Sequence, residues 1–272
     1  MEFNRLDYLK ILSRVKELGL KTICLEGNCP NRYYCFAKKT VTFLLLGDIC
    51  TRDCHYCNVK QGIPNDNYNN DINYILLAIE ELKLKYVVLT QVTRDDLEDG
   101  GASYIAGIIT QIKSRYPEIK IEVLISDLNG NKEALLKILD AKPDVLNHNI
   151  EVVKSLFPKL RPKGDYNRSL ELLNLVANYE KGIKIKTGLM VGLGETIAEI
   201  LLTFKDLKKS GVDILTIGQY LQPNIKKHKV MKHYTKDEFK LLKDKALEIG
   251  FEKVVSGSNV RSSYRAKECL ND

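Results

Sequence analysis

The chain has 272 residues, 44% of them hydrophobic and 28% charged, and Lys plus Arg exceed Asp plus Glu by 42 to 35, a net charge of +7. That length buries a substantial core, in one large domain or in one domain with a smaller partner, and the composition excludes disordered, collagen-like and mini-protein classes. No apolar run approaches the roughly 20 residues that span a bilayer. The first ten residues, MEFNRLDYLK, have neither an uninterrupted apolar stretch nor a small-residue cleavage site. The expectation is a soluble, cytoplasmic protein with no membrane partner.

In chain order, strand-like and helix-like runs alternate. VTFLLLG (41–47) reads as a strand, and INYILLAIEEL (72–82) as a helix with Ile72, Ile75, Leu76, Ile79 and Leu82 on one face. YVVLTQV (86–92) is the second strand, followed by a helix over 102–115. Further strands are IKIEVLI (119–125), DVLNHNI (144–150), IKIKTGLMV (183–191) and DILTIGQYL (213–221). Two late helices open with capping boxes, Thr196 with Glu199 and Thr235 with Glu238, and stop near Gly211 and Gly250. Such alternation predicts βαβ units and a parallel sheet. Six units fit a doubly wound sheet or a partial (βα)6 barrel, and no GxGxxG follows the first strand to support a dinucleotide fold.

The cysteines are unevenly placed. Six of seven fall between positions 24 and 57, while Cys269 stands alone near the C-terminus. A disulfide framework belongs to small secreted domains, so a cluster in a cytosolic-looking chain points to metal. Cys24, Cys29 and Cys35 are spaced C-x4-C-x5-C, and Cys50, Cys54 and Cys57 are spaced C-x3-C-x2-C. Structural zinc takes four ligands, commonly as CxxC pairs. Neither triplet has a CxxC partner, and the chain holds only four His, of which His55 is expected to point away from the ligands beside it. A 4Fe–4S cube with one thiolate per iron can instead use three Cys and leave one iron open.

The loop GDICTRDCHYCNV (47–59), placed directly after the first strand, resembles the CxxxCxxC loop of the radical S-adenosylmethionine (SAM) superfamily. That resemblance implies SAM chelated to the open iron, a deoxyadenosyl radical, and the partial barrel. It also implies one domain over 1–272: an N-terminal extension (1–40), the barrel core (41–250) and a C-terminal extension (251–272) that closes the open side.

The likeness extends to TICLEGNCPNRYYC (22–35), TRDDLEDGGA (93–102), NHNIE (147–151), LRPKGDYNRSLELL (160–173), KTGLMVGLGET (186–196), IGQYLQP (217–223) and RSSYRA (261–266). Together these resemble the lipoyl synthase family, which adds two sulfur atoms, at C6 and C8, to an octanoyl chain on a carrier-protein lysine. Carried over, the resemblance gives Cys50, Cys54 and Cys57 the radical SAM cluster, and gives Cys24, Cys29, Cys35 and Ser263 an auxiliary 4Fe–4S cluster that is consumed as the sulfur donor. A serine oxygen holds iron less firmly than a thiolate does, which suits a sacrificial cube. Cys269 is then surplus.

Softer matches are Gly100 and Gly101, whose backbone would hold the methionyl amine of SAM, and Asn149 and Glu151, which would grip its ribose or carboxylate. Arg161 and Lys186, near other strand ends, belong to the same group. The competing readings are a tight turn for the glycines, and salt bridges or helix caps for the charged residues, with Asp95 and Asp96 capping the loop after the second strand. The family implies an octanoylated carrier (glycine-cleavage H protein or a dehydrogenase E2 lipoyl domain), an electron donor such as ferredoxin or flavodoxin, and an iron–sulfur cluster carrier. It also implies a tunnel that admits the octanoyl arm.

The chain departs from the family pattern at NIKKHKV (224–230), where Ser and His-Leu-Pro-Val are usual, and around Glu26-Gly27-Asn28 and Arg32-Tyr33-Tyr34. The basic run KKHKVMKH (226–233) reads as a solvated face, or as a docking site for an acidic carrier, rather than as a nucleic-acid site. Two alternatives compete with the family reading. One is another radical SAM enzyme with an auxiliary cluster, biotin-synthase-like or peptide-modifying, against which Ser263 and the C-x4-C-x5-C triplet discriminate. The other is a zinc-bearing nucleic-acid module, which bound iron and sulfide would eliminate.

Overall fold

In the computed structural model, which describes residues 5–65, 71–179, 182–264 and 266–269, the chain forms two compact units. One comprises Met1–Arg52 with Val59–Asp144, the other Asp53–Asn58 with Val145–Asp272. No helix among the described residues is long and apolar enough to cross a membrane.

The first unit begins with helices α1 (Arg5–Glu17), α2 (Ile23–Glu26) and α3 (Arg32–Ala37). Strand β1 (Thr42–Leu45) follows, then the short pair β2 (Ile49–Cys50) and β3 (Lys60–Gln61). Next come α4 (Asp71–Leu82), β4 (Tyr86–Gln91), α5 (Ala102–Arg115), β5 (Lys120–Leu124) and α6 (Lys132–Asp140). Strand β4 lies between β1 and β5 and is parallel to both, with Leu89 opposite Phe43 on one side and Val123 on the other. All four residues of β1 are buried, as a parallel strand covered on both faces requires. Strand β1 stops short of Gly47 because Leu46 (φ 65°) and Gly47 (φ 91°) both turn left-handed. Helix α5 packs Ile105, Ile108, Ile109 and Ile112 as one apolar stripe. The N-terminal helices are tied down by Tyr8 against Tyr33 (ring centroids 4.8 Å apart) and by Arg14 paired with Glu81.

The second unit holds β6 (Val145–Asn147), α7 (Phe157–Leu160), α8 (Tyr166–Tyr179) and β7 (Lys184–Val191). These are followed by α9 (Ile197–Lys209), β8 (Ile214–Gln219), α10 (Lys236–Ile249) and β9 (Lys253–Gly257). The four strands pair in chain order, all parallel. Both capping boxes form, and Gly250 (φ 108°) ends α10 in the left-handed conformation that glycine tolerates best. Each of the six expected strand runs contains a strand. β9 is a seventh, in the stretch read as an extension, where Lys253–Gly257 pairs with β8.

Candidate functional site

Cys50 closes β2, and its carbonyl accepts the Gly62 N–H (3.1 Å) from beyond β3. Cys54 and Cys57 share a tight turn, with the Cys57 N–H donating to the Cys54 carbonyl (3.0 Å). His55, between Cys54 and Cys57, is exposed, and its N–H donates to the Leu160 carbonyl at 2.9 Å. None of the six clustered cysteines is in a disulfide. Among the described residues no three Cys, His, Asp or Glu are grouped to hold a single metal ion. A cube does not ask for that, because each thiolate takes its own iron, and three thiols per motif with no fourth in either is a donor set that fits it.

Arg52, inside the CxxxCxxC loop, is buried and reaches two carboxylates of its own unit. Its guanidinium grips Asp95 through two bonds of 2.7 Å and places Nη2 2.7 Å from Asp127 Oδ1. Thr51 adds a hydroxyl bond to the Thr93 carbonyl, 3.0 Å. Nearby, Asp96 clasps the buried Arg94 (2.8–3.0 Å), which holds the Asp96 carboxyl below its usual range. Asp95 and Asp96 therefore neutralise buried arginines rather than cap a loop. Neither Arg52 nor Asp127 stands out in the sequence: an arginine in a polar loop carries no periodic signal, and Asp127 lies 75 residues on.

Asp95, Asp96, Gly100, Ser126, Asn129 and Asn131 line a pocket of about 500 Å³ beyond the C-terminal ends of β4 and β5. The two glycines separate here. Gly100 (φ 60°) faces this pocket, whereas Gly101 (φ 86°) caps α5, and a side chain on it would run into Leu46.

In the second unit Asn149, Glu151, Arg161 and Lys186 gather around the start of β7. Asn149 donates from Nδ2 to Glu151 Oε1 (3.0 Å), accepts at Oδ1 from the Ser262 hydroxyl (2.8 Å), and receives Arg161 Nη1 at its carbonyl (3.1 Å). Burial pushes the Glu151 carboxyl up, opposed by Arg161 and by the Asn149 bond. Burial likewise raises the Tyr56 phenol, again against Arg161. Glu151 takes a left-handed turn (φ 67°) that lets its backbone bridge to Leu189. Arg161 caps α7 rather than ending a strand, and Lys186 is the third of eight residues in β7, fully buried. Lys186, Gly188 and Met190 share one strand face. A Cβ on Gly188 would lie 2.8 Å from both Asn149 Oδ1 and Ser262 Oγ, so this face looks onto the polar group.

Cys24 is buried at the start of α2, and burial pushes its thiol up. Cys29 and Cys35 are partly open. Ser263 lies in the turn next to Ser262. Cys269 ends a short 3-10 helix, Ala266–Cys269.

The Radical SAM superfamily model matches residues 44–207. A lipoyl synthase of Alkaliphilus metalliredigens is 48% identical over 269 residues, 99% of this chain and 92% of that protein. One from Caldicellulosiruptor saccharolyticus is 47% identical (95% and 91% covered), and one from Aquifex aeolicus 44% (99% and 97%). Among solved structures, methylornithine synthase aligns over 100% of this chain and 89% of its own, with TM-score 0.58 and 14% identity. The hydrogenase maturase HydG aligns over 96% and 72%, with TM-score 0.57 and 14% identity. At that identity the structures bear on fold alone, and they agree with the α/β partial-barrel class.

Proposed function

The chain belongs to the lipoyl synthase family of the radical SAM superfamily, and we propose on that footing that it inserts sulfur at C6 and C8 of an octanoyl chain carried on a protein lysine. It is a radical SAM sulfurtransferase that uses a 4Fe–4S cluster and SAM and acts on a lipoyl carrier protein. One observation carries the reading: a chain 48% identical to a lipoyl synthase over 99% of its length holds two cysteine triplets, neither of them tied up in disulfides.

Cys50, Cys54 and Cys57 would hold the radical cluster, and Cys24, Cys29, Cys35 and Ser263 the auxiliary one. When bound, the first supplies the electron that splits SAM into a hydrogen-abstracting radical, and the second supplies the sulfur. The protein's own part is to position and to exclude water. Arg52, neutralised by Asp95 and Asp127, anchors the cluster loop. Gly100 leaves its backbone open to the pocket, where a methionyl amine can approach, while Gly101 supports it from beneath. Asn149, Glu151, Arg161 and Lys186 present donors and an acceptor for the ribose and carboxylate of SAM. The carrier is a glycine-cleavage H protein or an E2 lipoyl domain, and ferredoxin or flavodoxin and a cluster carrier serve the two clusters. The one-domain layout, with extensions at 1–40 and 251–272, is part of the same reading.

The test is iron and acid-labile sulfide per chain after anaerobic reconstitution, for the wild type and for a variant with Cys24, Cys29 and Cys35 all changed to Ala. About eight irons falling to about four supports two cubes. About four in both leaves a radical SAM enzyme without a sulfur-donating cluster.

A further inference from the structure

The segment in which the chain departs from its family, NIKKHKV (224–230), lies along the cysteine turn of its own unit. Asn224 Nδ2 donates to Asn58 Oδ1 (3.0 Å), and the His228 N–H donates to the His55 carbonyl (2.9 Å). Between them Lys227 Nζ donates to Asp53 Oδ1 (2.9 Å) and to the Cys54 carbonyl (3.3 Å). The strap is braced from behind. The Tyr220 hydroxyl donates to the His228 carbonyl (2.6 Å), Gln222 Nε2 donates to the Lys227 carbonyl (2.9 Å), and His228 Nε2 lies 2.9 Å from the Leu193 carbonyl. A lysine tip is thus fixed on the peptide of one cysteine of the motif, with an aspartate from inside that motif as its counter-charge.

We propose that Lys227 and Asp53 are an opposed charge pair that sets the reduction potential of the cluster held at this loop, with Lys227 as a positioning residue for the Cys54 peptide. The inference rests on Cys50, Cys54 and Cys57 being the ligands. Reduction adds one negative charge to the cluster, so a fixed cation nearby favours it and a fixed anion opposes it. Lys227 keeps 19% of its side chain exposed against 43% for Asp53, so solvent screens the aspartate more strongly. The ammonium also touches the ligand residue itself. The lysine therefore dominates.

The experiment is an anaerobic redox titration of the full-length, cluster-loaded chain followed by electron paramagnetic resonance. The signal that shifts on adding SAM identifies the cluster, and iron per chain is measured alongside. Lys227→Met is expected to lower the potential, so that the ratio of reduced to oxidised cluster at a given potential falls about tenfold, about 59 mV for one electron. Asp53→Asn raises it, Lys227→Arg leaves it near wild type, and the Asp53→Asn, Lys227→Met double variant returns toward wild type. A purely structural role would not restore the potential in the double variant, so failure to return overturns the charge-pair proposal. Should Lys227→Met lose its iron, Asp53→Asn alone still decides, because an unchanged or lowered potential there also overturns it. A wild-type chain with no SAM-responsive cluster signal overturns the ligand assignment and this inference together.

Discussion

Arg52 and Asp127 form an ion pair, 2.7 Å from Nη2 to Oδ1, that is almost closed to solvent: 4% of the arginine side chain and none of the aspartate is exposed. Asp127 also accepts the Asn129 N–H (3.1 Å), and Arg52 Nη1 is buried with no hydrogen-bond partner. Breaking such a pair from one side strands a charge, at about 3–5 kcal/mol. Arg52→Ala, which strands both Asp95 and Asp127, is expected to lower the melting temperature by about 10 °C, at roughly 2–4 °C per kcal/mol for a chain of this size, whereas Asp127→Ala leaves Arg52 on Asp95 and should cost less. Arg52→Ala should also lose iron on gel filtration. A melting curve that superimposes on wild type would remove this pair from the account of how the loop is held.

Gly100 and Gly101 are expected to fail differently. In Gly101→Ala the new methyl meets Leu46 while φ is 86°, so stability falls by about 2–3 kcal/mol or more. Leu46→Ala should partly relieve the clash in the double variant. In Gly100→Ala the nearest atom is the flexible Leu128 Cδ2 at 3.2 Å. There SAM binding should weaken more than the fold does. Equal loss of melting temperature in both would contradict the division.

The Ser262 hydroxyl pins the amide of Asn149, whose other end serves Glu151. Ser262→Ala removes one bond worth about 1 kcal/mol, so the melting temperature should fall by only about 2–4 °C while SAM binds more weakly as the Asn149 amide loses its anchor. Gly188→Ala forces a methyl against the same two polar atoms and should weaken SAM far more. Unchanged SAM affinity in both variants would take Asn149 out of the SAM site.

The sequence announced the parts whose physics is local. Capping boxes at Thr196 and Thr235, the stripe along α5 and the buried run of β1 depend on near neighbours, and they form as expected. Strand β9 escaped because KVVSG has only two apolar residues, side by side, before a Ser-Gly turn signal. The cysteine spacings were legible in the sequence because residues a few positions apart meet in one loop, as Cys54 and Cys57 do in their shared turn. The groups that hold the loops were not. Arg52 with Asp127, Ser262 with Asn149 and Lys227 with Asp53 are separated by 75, 113 and 174 residues, and each reads alone as an ordinary polar residue. Only the fold brings these charges and amides together.

Asp71, at the start of α4, is pushed up to about 6 by burial, against a hydrogen bond from Tyr104 that pulls it down. The native state therefore holds this proton more tightly than the unfolded chain does. The stabilising contribution is full below the ordinary aspartate value near 4, and is lost as pH rises through about 6. At neutral pH the ionised carboxylate is a burden on the order of 1–2 kcal/mol once solvent screening is allowed for. Asp71→Asn is expected to melt higher than wild type at pH 7.5, with the gain shrinking below pH 5. A gain that persists undiminished at pH 4.5 would assign it to something other than ionisation.

The outer side of the 224–233 strap is expected to meet the carrier. Ile225 is 90% and Met231 62% exposed, Lys226 and Lys229 stand out beside them, and the stretch contains no carboxylate. Lys232 is committed to Glu238 at 2.6 Å, which leaves Lys226 and Lys229 as the charges to test. For a carrier with an acidic docking face, such charges chiefly steer encounter, and salt screens them. The Lys226→Glu, Lys229→Glu double variant should raise KM for the octanoylated carrier about tenfold at low salt while kcat holds. The gap should close as ionic strength rises, because wild-type turnover loses its advantage under the same screening. Ile225→Asn probes the apolar half of the surface, and its effect should survive high salt. If turnover at limiting carrier were flat from low to high salt and the double variant matched wild type, the carrier would have to dock elsewhere on the chain.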